Sequence, residues 1–107
     1  MGVTYFENLL DEITVPPDGI LTRTLYRDEN AKVVLFGFSP GQELSEHTAA
    51  VPVIIHILEG EGQFAAEGSS YAVKAGSWFH LKANTRHTVS ATSALTMLLI
   101  LVSAAKT

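Results

Sequence analysis

Four histidines carry most of the chemistry that this 107-residue sequence offers. His47 ends a polar segment that opens with Pro40-Gly41, His56 follows in an apolar run, and His80 and His87 come later in the chain. Imidazole is the commonest metal ligand among side chains. The chain has no cysteine, which excludes thiolate metal sites, disulfides and cysteine nucleophiles. The residue types therefore make these histidines candidate metal ligands, with histidines that only form hydrogen bonds as the alternative.

Composition limits the partners of this chain. The net charge is −4, and the seven Lys and Arg residues are scattered, so no basic stripe is present to bind nucleic acid. The apolar run Leu95 to Val102 is too short to span a bilayer, and the acidic N-terminal region does not resemble a signal peptide, so we expect no membrane partner and a cytoplasmic location. Only 17% of the residues are charged, which favours burial of surface patches in a homo-oligomer.

Short runs with strand patterns, separated by Gly, Pro, Asn and Asp turns, position these histidines. The length fits one domain, and the pattern predicts an all-β sandwich or barrel of nine or ten strands. Residues 4–13 have roughly helical spacing, with Thr4 as a possible N-cap, and predict a short helix or an arm packed on a neighbour. The predicted strands are 20–27, 32–38, 42–48, 53–59, 63–66, 70–74, 77–82, 87–92 and 94–102.

Two spaced motifs resemble those of a known family. Gly41-(x)5-His47, followed by a strand that ends at Gly60, is similar to the first cupin motif, G(x)5HxH(x)3–4E(x)6G. Gly76-(x)10-His87 is similar to the second, G(x)5PxG(x)2H(x)3N. The chain thus resembles a small single-domain protein of the RmlC-like cupin superfamily, of the cupin 2 conserved barrel type. The resemblance implies a jelly-roll β-barrel of two antiparallel sheets.

The sequence departs from both motifs. The second histidine of the first motif falls on Ala49 and the glutamate on Val53, while the second motif has Lys82, Asn84 and Ala91 at its proline, glycine and asparagine positions. Of the four ligands that the family uses, His47 and His87 remain. The resemblance implies that these two hold Fe, Mn, Ni or Zn, and a metal-free pocket with hydrogen-bonded histidines is the alternative.

His56 and His80 are weaker metal candidates. In the cupin barrel their strands are antiparallel neighbours, so the resemblance implies that the two histidines lie roughly opposite each other. Either they complete a four-histidine site, or they form a pair on the barrel wall or at a dimer interface. If Val53 faces the interior, strand alternation turns His56 outward, unless a bulge at Pro52 reverses the phase.

The expected pocket and organisation follow from the same resemblance. The expected pocket-lining residues are apolar, favour a small apolar or aromatic ligand, and comprise Val53, Ile55, Phe36, Phe38, Trp78, Phe79 and Met97. Residues 1–30 are expected to form an arm and strands that pack on the barrel or on a dimer partner, and residues 31–105 the barrel. Three functions remain open: a metal-dependent oxygenase or isomerase, a non-catalytic or sensory ligand-binding cupin, and a structural dimer with a vestigial pocket.

Overall fold

The structure is a computed structural model that describes residues 2–103, and these residues form nine β-strands and one short 3-10 helix. Every strand pair is antiparallel, and each predicted strand is present within two residues of its expected bounds. The expected end of the barrel at residue 105 lies outside the described residues. The strands are β1 (Ile20–Arg27), β2 (Ala31–Phe38), β3 (Glu43–His47), β4 (Val53–Glu59), β5 (Glu61–Ala66), β6 (Ser69–Lys74), β7 (Trp78–Leu81), β8 (His87–Ala91) and β9 (Leu95–Val102).

The strands form two sheets with the strand order of a jelly roll. The five-stranded sheet has the order β1-β2-β9-β4-β7, and the four-stranded sheet has the order β3-β8-β5-β6. The strand after the first motif, β4, pairs with the strand before His87, β7, as the resemblance implied. The all-β jelly-roll prediction is confirmed. Among the described residues, no helix is long and apolar enough to span a membrane.

The space between the sheets is filled by apolar side chains. Val53, Ile55 and Ile57 of β4 alternate inward and are at most 3% exposed, as are Phe64 of β5 and Met97 of β9. Full burial of one such side chain stabilises the fold by roughly 1.5–3 kcal/mol. The interior of the barrel is therefore a packed core.

The N-terminal segment covers part of the outer face of the five-stranded sheet. Its only helix among the described residues is the 3-10 helix Leu9–Glu12, where the backbone N–H of Leu10 donates to the Asn8 side chain at 3.1 Å. The prediction of a Thr4 N-cap is thus wrong: Asn8 offers a side-chain acceptor one residue before the helix, and the residues before it are extended or irregular. A Cβ at Gly37 would lie 3.3 Å from the Cα of Val15, so this glycine lets the segment approach β2 closely.

The last glycine of the first motif has a steric function. Gly60 connects β4 to β5 with a φ of +94°, in the left-handed region that favours glycine. A Cβ at this position would lie 2.1 Å from the carbonyl oxygen of Ala94, closer than any side chain tolerates. The motif glycine is required by the close approach of two backbones.

Candidate functional site

His47 and His87 are brought together by an irregularity in strand β3. Leu44 on β3 pairs with the buried Val89 on β8. His47 lies three residues after Leu44, but its partner His87 lies only two residues before Val89. One extra residue is thus accommodated in β3 between Leu44 and His47. Regular alternation would turn His47 away from the face that Leu44 shares with Val89. The bulge instead makes His47 the direct cross-strand partner of His87.

His87 is held in a defined orientation. It is 5% exposed, and its ring stacks on Phe64 with centroids 5.7 Å apart and planes 16° apart. Its Nδ1 lies 3.1 Å from the carbonyl oxygen of Thr85. Because a carbonyl can only accept, Nδ1 carries the hydrogen and donates it, which leaves Nε2 with a lone pair in the neutral ring. No side-chain nitrogen or oxygen of residues 2–103 is buried without a partner, so this Nε2 retains access to solvent.

The distance between the two rings is compatible with a shared metal ion. Their centroids are 5.9 Å apart and the planes are nearly perpendicular, at 85°. A metal about 2.1 Å from a ring nitrogen lies about 3.2 Å from the ring centroid, so two rings that share a metal have centroids about 4.5–6.4 Å apart. His47 is exposed and His87 is buried, so the His87 ring is held in place and the His47 ring is free to adjust.

The other two positions of the family's ligand set are apolar here. Ala49 packs against the core, and Val53 is 3% exposed and paired with Leu81 and Leu101. Within residues 2–103, no group of three or more His, Asp or Glu side chains is arranged to hold a metal. A metal at this place would therefore have two imidazoles as protein donors, and water or a bound ligand would have to supply the rest.

His56 and His80 lie on the outer face of the five-stranded sheet, away from the core. Val53 and Ile55 are buried inward, so His56 points outward as alternation predicted. Strand β4 stays in register with β7 from Val53 to His56, and the phase is not reversed. The two histidines lie on neighbouring antiparallel strands with an offset of two residues, since His56 pairs with Trp78 and His80 pairs with Ile54. The alternative of a four-histidine site is therefore not assembled.

The expected pocket residues are distributed differently from the prediction. Four of them lie in the packed core and do not line the histidine region: Val53, Ile55, Phe38 and Met97. Phe36 packs half-buried against that core, and Phe79 points inward and stacks on Phe64 with centroids 4.1 Å apart. The prediction that Trp78 lines the pocket is wrong, because its side chain is 57% exposed on the outer face.

A cleft of about 770 Å³ adjoins the pair and includes His87 in its wall. It lies between the β5–β6 turn and the loop from Lys82 to Arg86. Most of the residues that line it are polar or charged, and its apolar side chains are no larger than alanine. Glu46, which precedes His47, also lines it and pairs with Arg86 at 3.4 Å; both groups are exposed, so the pair adds little stability. The charged and hydroxyl side chains of this wall offer hydrogen bonds to a small polar ligand, whereas the core residues suggested an apolar one.

A scan against family models matches the cupin domain over residues 34–103. The chain belongs to the cupin family. The match covers both cupin motifs and every strand from β3 onward. No curated protein matches the sequence of this cupin.

Solved structures with the same fold include several small cupins. An RmlC-like cupin from Desulfovibrio desulfuricans is 27% identical, with a TM-score of 0.83 over 94% of this chain and 97% of that one. A cupin 2 conserved barrel domain protein from Leptotrichia buccalis is 31% identical, with a TM-score of 0.83 over 90% of this chain and 47% of that one. A conserved protein of unknown function from Streptococcus pyogenes, at 24% identity, matches with a TM-score of 0.85 over 99% and 93% of the two chains.

Two contributors to the site of this cupin carry no direct sequence signal. The Thr85 contact uses a backbone carbonyl, which every residue type possesses. The stacking of Phe64 on His87 follows from the pairing of β5 with β8, which places Ala66 opposite His87. The positions of Glu46 and Arg86, each directly before a motif histidine, were available signals for the charged wall of the cleft.

Proposed function

We propose that this cupin binds a divalent transition metal between His47 and His87 and uses the remaining coordination positions to bind a small polar ligand. The observation that carries the proposal is the cross-strand pairing of the two histidines, with ring centroids 5.9 Å apart. Fe, Mn, Ni and Zn all accept imidazole ligands. The site would thus bind whichever of these metals the cell supplies.

The residues have distinct functions in this proposal. His87 is the fixed ligand, since its Nδ1–H bond to Thr85 and its stacking on Phe64 hold the ring and direct Nε2 as the donor. His47 is the adjustable ligand on an exposed edge strand. With two protein ligands, the metal is held weakly and exchanges readily, and most of its coordination sphere is open.

The activity class that fits an open, exchangeable metal is a metal-dependent small-molecule reaction of the oxygenase or isomerase kind. When bound, the metal would supply Lewis-acid or oxygen-activating chemistry. The chain itself orients a polar ligand through the wall of the cleft, where Lys82 and Arg86 offer positive charge and Glu46 offers negative charge. A homodimer in the cytoplasm remains our expectation for the assembly and location.

A metal-free ligand-binding cupin is the second candidate, and the apolar side chains of Ala49 and Val53 favour it. In that case the His47–His87 pair would hydrogen-bond the ligand directly. The two candidates differ in a single measurable property, the dependence of ligand binding on metal.

The test is metal binding by the untagged protein. Purified protein is titrated calorimetrically with Mn²⁺, Fe²⁺, Ni²⁺ and Zn²⁺, with His47→Ala and His87→Ala as site variants and His80→Ala as the matched control. We expect one metal per chain in the wild type and in His80→Ala, and loss of binding in both site variants. Undiminished binding by His47→Ala and His87→Ala would refute the metal site; binding by none of the proteins would support the metal-free alternative.

A further inference from the structure

The cleft that adjoins the histidine pair has a floor of small side chains on the outer face of the four-stranded sheet. Thr88 of β8 pairs with Ala65 of β5, which pairs with Ser70 of β6, so the three form one row across the sheet. This row faces outward, because the residue before Ala65 and the residue after Thr88 are buried in the core. Since neighbouring strands lie about 4.8 Å apart, the row is roughly 10 Å wide. The floor therefore leaves room for a small ligand.

The walls of this cleft carry charges of both signs. Lys82 and Arg86 lie on the loop between β7 and β8, and Glu67 lies on the β5–β6 turn that faces this loop across the cleft. Glu46 lines the cleft from β3, next to Arg86. All four side chains are exposed. The cleft thus has no net formal charge, but its loop wall is positive and its turn wall is negative.

The charged groups of the two walls are available to a ligand. Within residues 2–103, neither Glu67 nor Lys82 takes part in an ion pair. Arg86 pairs with Glu46 at 3.4 Å, and the two side chains are 74% and 63% exposed, so this pair is weak and solvated. The hydrogen bond to Glu46 uses one nitrogen of Arg86, Nη1. A guanidinium has five N–H donors, so donors remain for the carboxylate of a ligand.

Tight turns hold the backbone of both walls in place. The loop turns at Asn84, whose φ is +67° and whose backbone N–H donates to the carbonyl oxygen of Ala49 at 2.7 Å. The N–H of Thr85 donates to the carbonyl oxygen of Lys82 at 3.3 Å and closes this turn. On the opposite wall, Glu67 and the glycine after it both have the left-handed backbone of a tight hairpin turn. Because the backbone is already ordered, a ligand binds at a lower cost in entropy.

A zwitterion matches these walls better than an ion of a single sign. A ligand that carries only a carboxylate is attracted by the loop wall but repelled by the acids of the cleft, and a simple amine meets the converse arrangement. A ligand with both groups can place each of them at the wall of opposite charge. The hydroxyl groups of the floor can accept or donate further hydrogen bonds to either group.

From these observations we propose that the cleft binds a small zwitterionic amino acid, with its carboxylate at Lys82 and Arg86 and its ammonium group at Glu67. Glu46 holds Arg86 at the edge of the loop wall. The proposal rests on the function proposed above, because it names the class of the polar ligand that the cleft orients there. Recognition is assigned to the side chains of the cleft, so the preference for a zwitterion holds whether the metal site is filled or empty.

Chemical-shift titration of the full, untagged, ¹⁵N-labelled chain tests the proposal. The probes are glycine, β-alanine and 4-aminobutanoate, with propionate and ethylamine as controls that each lack one charged group of β-alanine. We expect saturable shifts of the backbone amide signals of residues 65–70 and 82–88 with at least one of the amino acids. Its affinity should exceed that of either control by at least about 10-fold, since only the zwitterion makes charge-assisted contacts with both walls. No saturable shift with any of the three amino acids, or equal affinity for either control, would overturn the proposal.

Charge-neutral variants test the two contacts separately. Lys82→Gln should lower the amino-acid affinity by about 10-fold without weakening ethylamine, and Glu67→Gln should do the same without weakening propionate. Lys74→Gln and Glu61→Gln are the matched controls, because both residues are exposed on the same sheet but lie outside the cleft. The dispersion of the amide signals shows that each variant is folded. Unchanged affinity in a cleft variant would overturn the contact assigned to that residue, and an equal loss in the controls would overturn both.

The titrations use metal-stripped protein in buffer passed over a chelating resin, so that the result does not depend on the metal site. Failure of the metal proposal would appear in the calorimetric titrations of the His47 and His87 variants, with the preference for amino acids intact. Failure of the present proposal would appear as loss of that preference, with metal binding at His47 and His87 intact.

Discussion

The two pairs of histidines show how one residue type takes different positions on the two walls of one barrel. His47 and His87 are direct cross-strand partners on the four-stranded sheet, whereas His56 and His80 are offset by two residues on the outer face of the five-stranded sheet. The first pair includes a buried ring with a fixed Nδ1–H bond. The second pair lies between apolar side chains at the surface. The comparison teaches that strand phase, and not the number of nearby histidines, decides which histidines become direct cross-strand partners.

Strand phase is set differently on the two sheets. On β4, regular alternation from the buried Val53 turns His56 outward. On β3, an extra residue between Leu44 and His47 reverses the phase and brings His47 to His87. The bulge in β3 thus makes His47 the cross-strand partner of His87. Between Val53 and His56 there is no bulge, so His56 stays on the outer face of its sheet.

The largest effect is expected for His87→Ala, which should remove a ligand and a buried contact together. We expect metal affinity to fall more than about 100-fold, beyond the usual cost of losing a supporting hydrogen bond. Loss of the buried ring should also lower the free energy of unfolding by roughly 1–3 kcal/mol, because the Phe64 face and the Thr85 carbonyl lose their partner. Calorimetric titration and urea unfolding measure the two effects; metal affinity equal to the wild type would show that His87 is not a ligand.

His47→Ala should separate metal binding from stability. Its side chain is exposed on an edge strand, so we expect the same large loss of metal affinity with a change in unfolding free energy within about 0.5 kcal/mol. The same two assays apply. If this variant loses stability as His87→Ala does but keeps its metal, the pair is a structural contact.

Ala49→His should strengthen the inner site. The resemblance places a family ligand at this position, and a third imidazole would raise metal affinity by about 10-fold or more. Ala50→His is the matched control, because it adds a histidine at an exposed neighbouring residue. Gly41→Ala would not serve, because the backbone of Gly41 is in the left-handed region that disfavours a side chain. Equal metal affinity of Ala49→His and wild type would place residue 49 too far from the pair to coordinate the same ion.

His80→Ala and His56→Ala should have the smallest effect on metal binding. Both residues lie outside the barrel wall, so we expect unchanged metal stoichiometry and affinity. Any loss should appear instead in self-association, measured by sedimentation. A fall in metal affinity comparable to that of His47→Ala would remove the distinction between the two pairs.

Much of the fold was predictable because its signals are local. Gly, Pro and Asp turns fixed the ends of the strands, and alternation from Val53 correctly turned His56 outward. The bulge in β3 was not predictable, since it exists only in the pairing with β8, and neither was the Thr85 carbonyl. The apolar pocket was predicted wrongly because the same residues, such as Ile55 and Met97, suit a packed core and a cavity wall equally well.

The central claim is that a metal binds at His47 and His87 and leaves His56 and His80 untouched. One measurement compares all four residues in one sample: titration of the untagged protein with Mn²⁺ while the ring C–H signals of its four histidines are followed by NMR. The account predicts that the His47 and His87 signals broaden first, at substoichiometric metal, while those of His56 and His80 stay sharp. Broadening of the His56 and His80 signals first, or of all four equally, would contradict it.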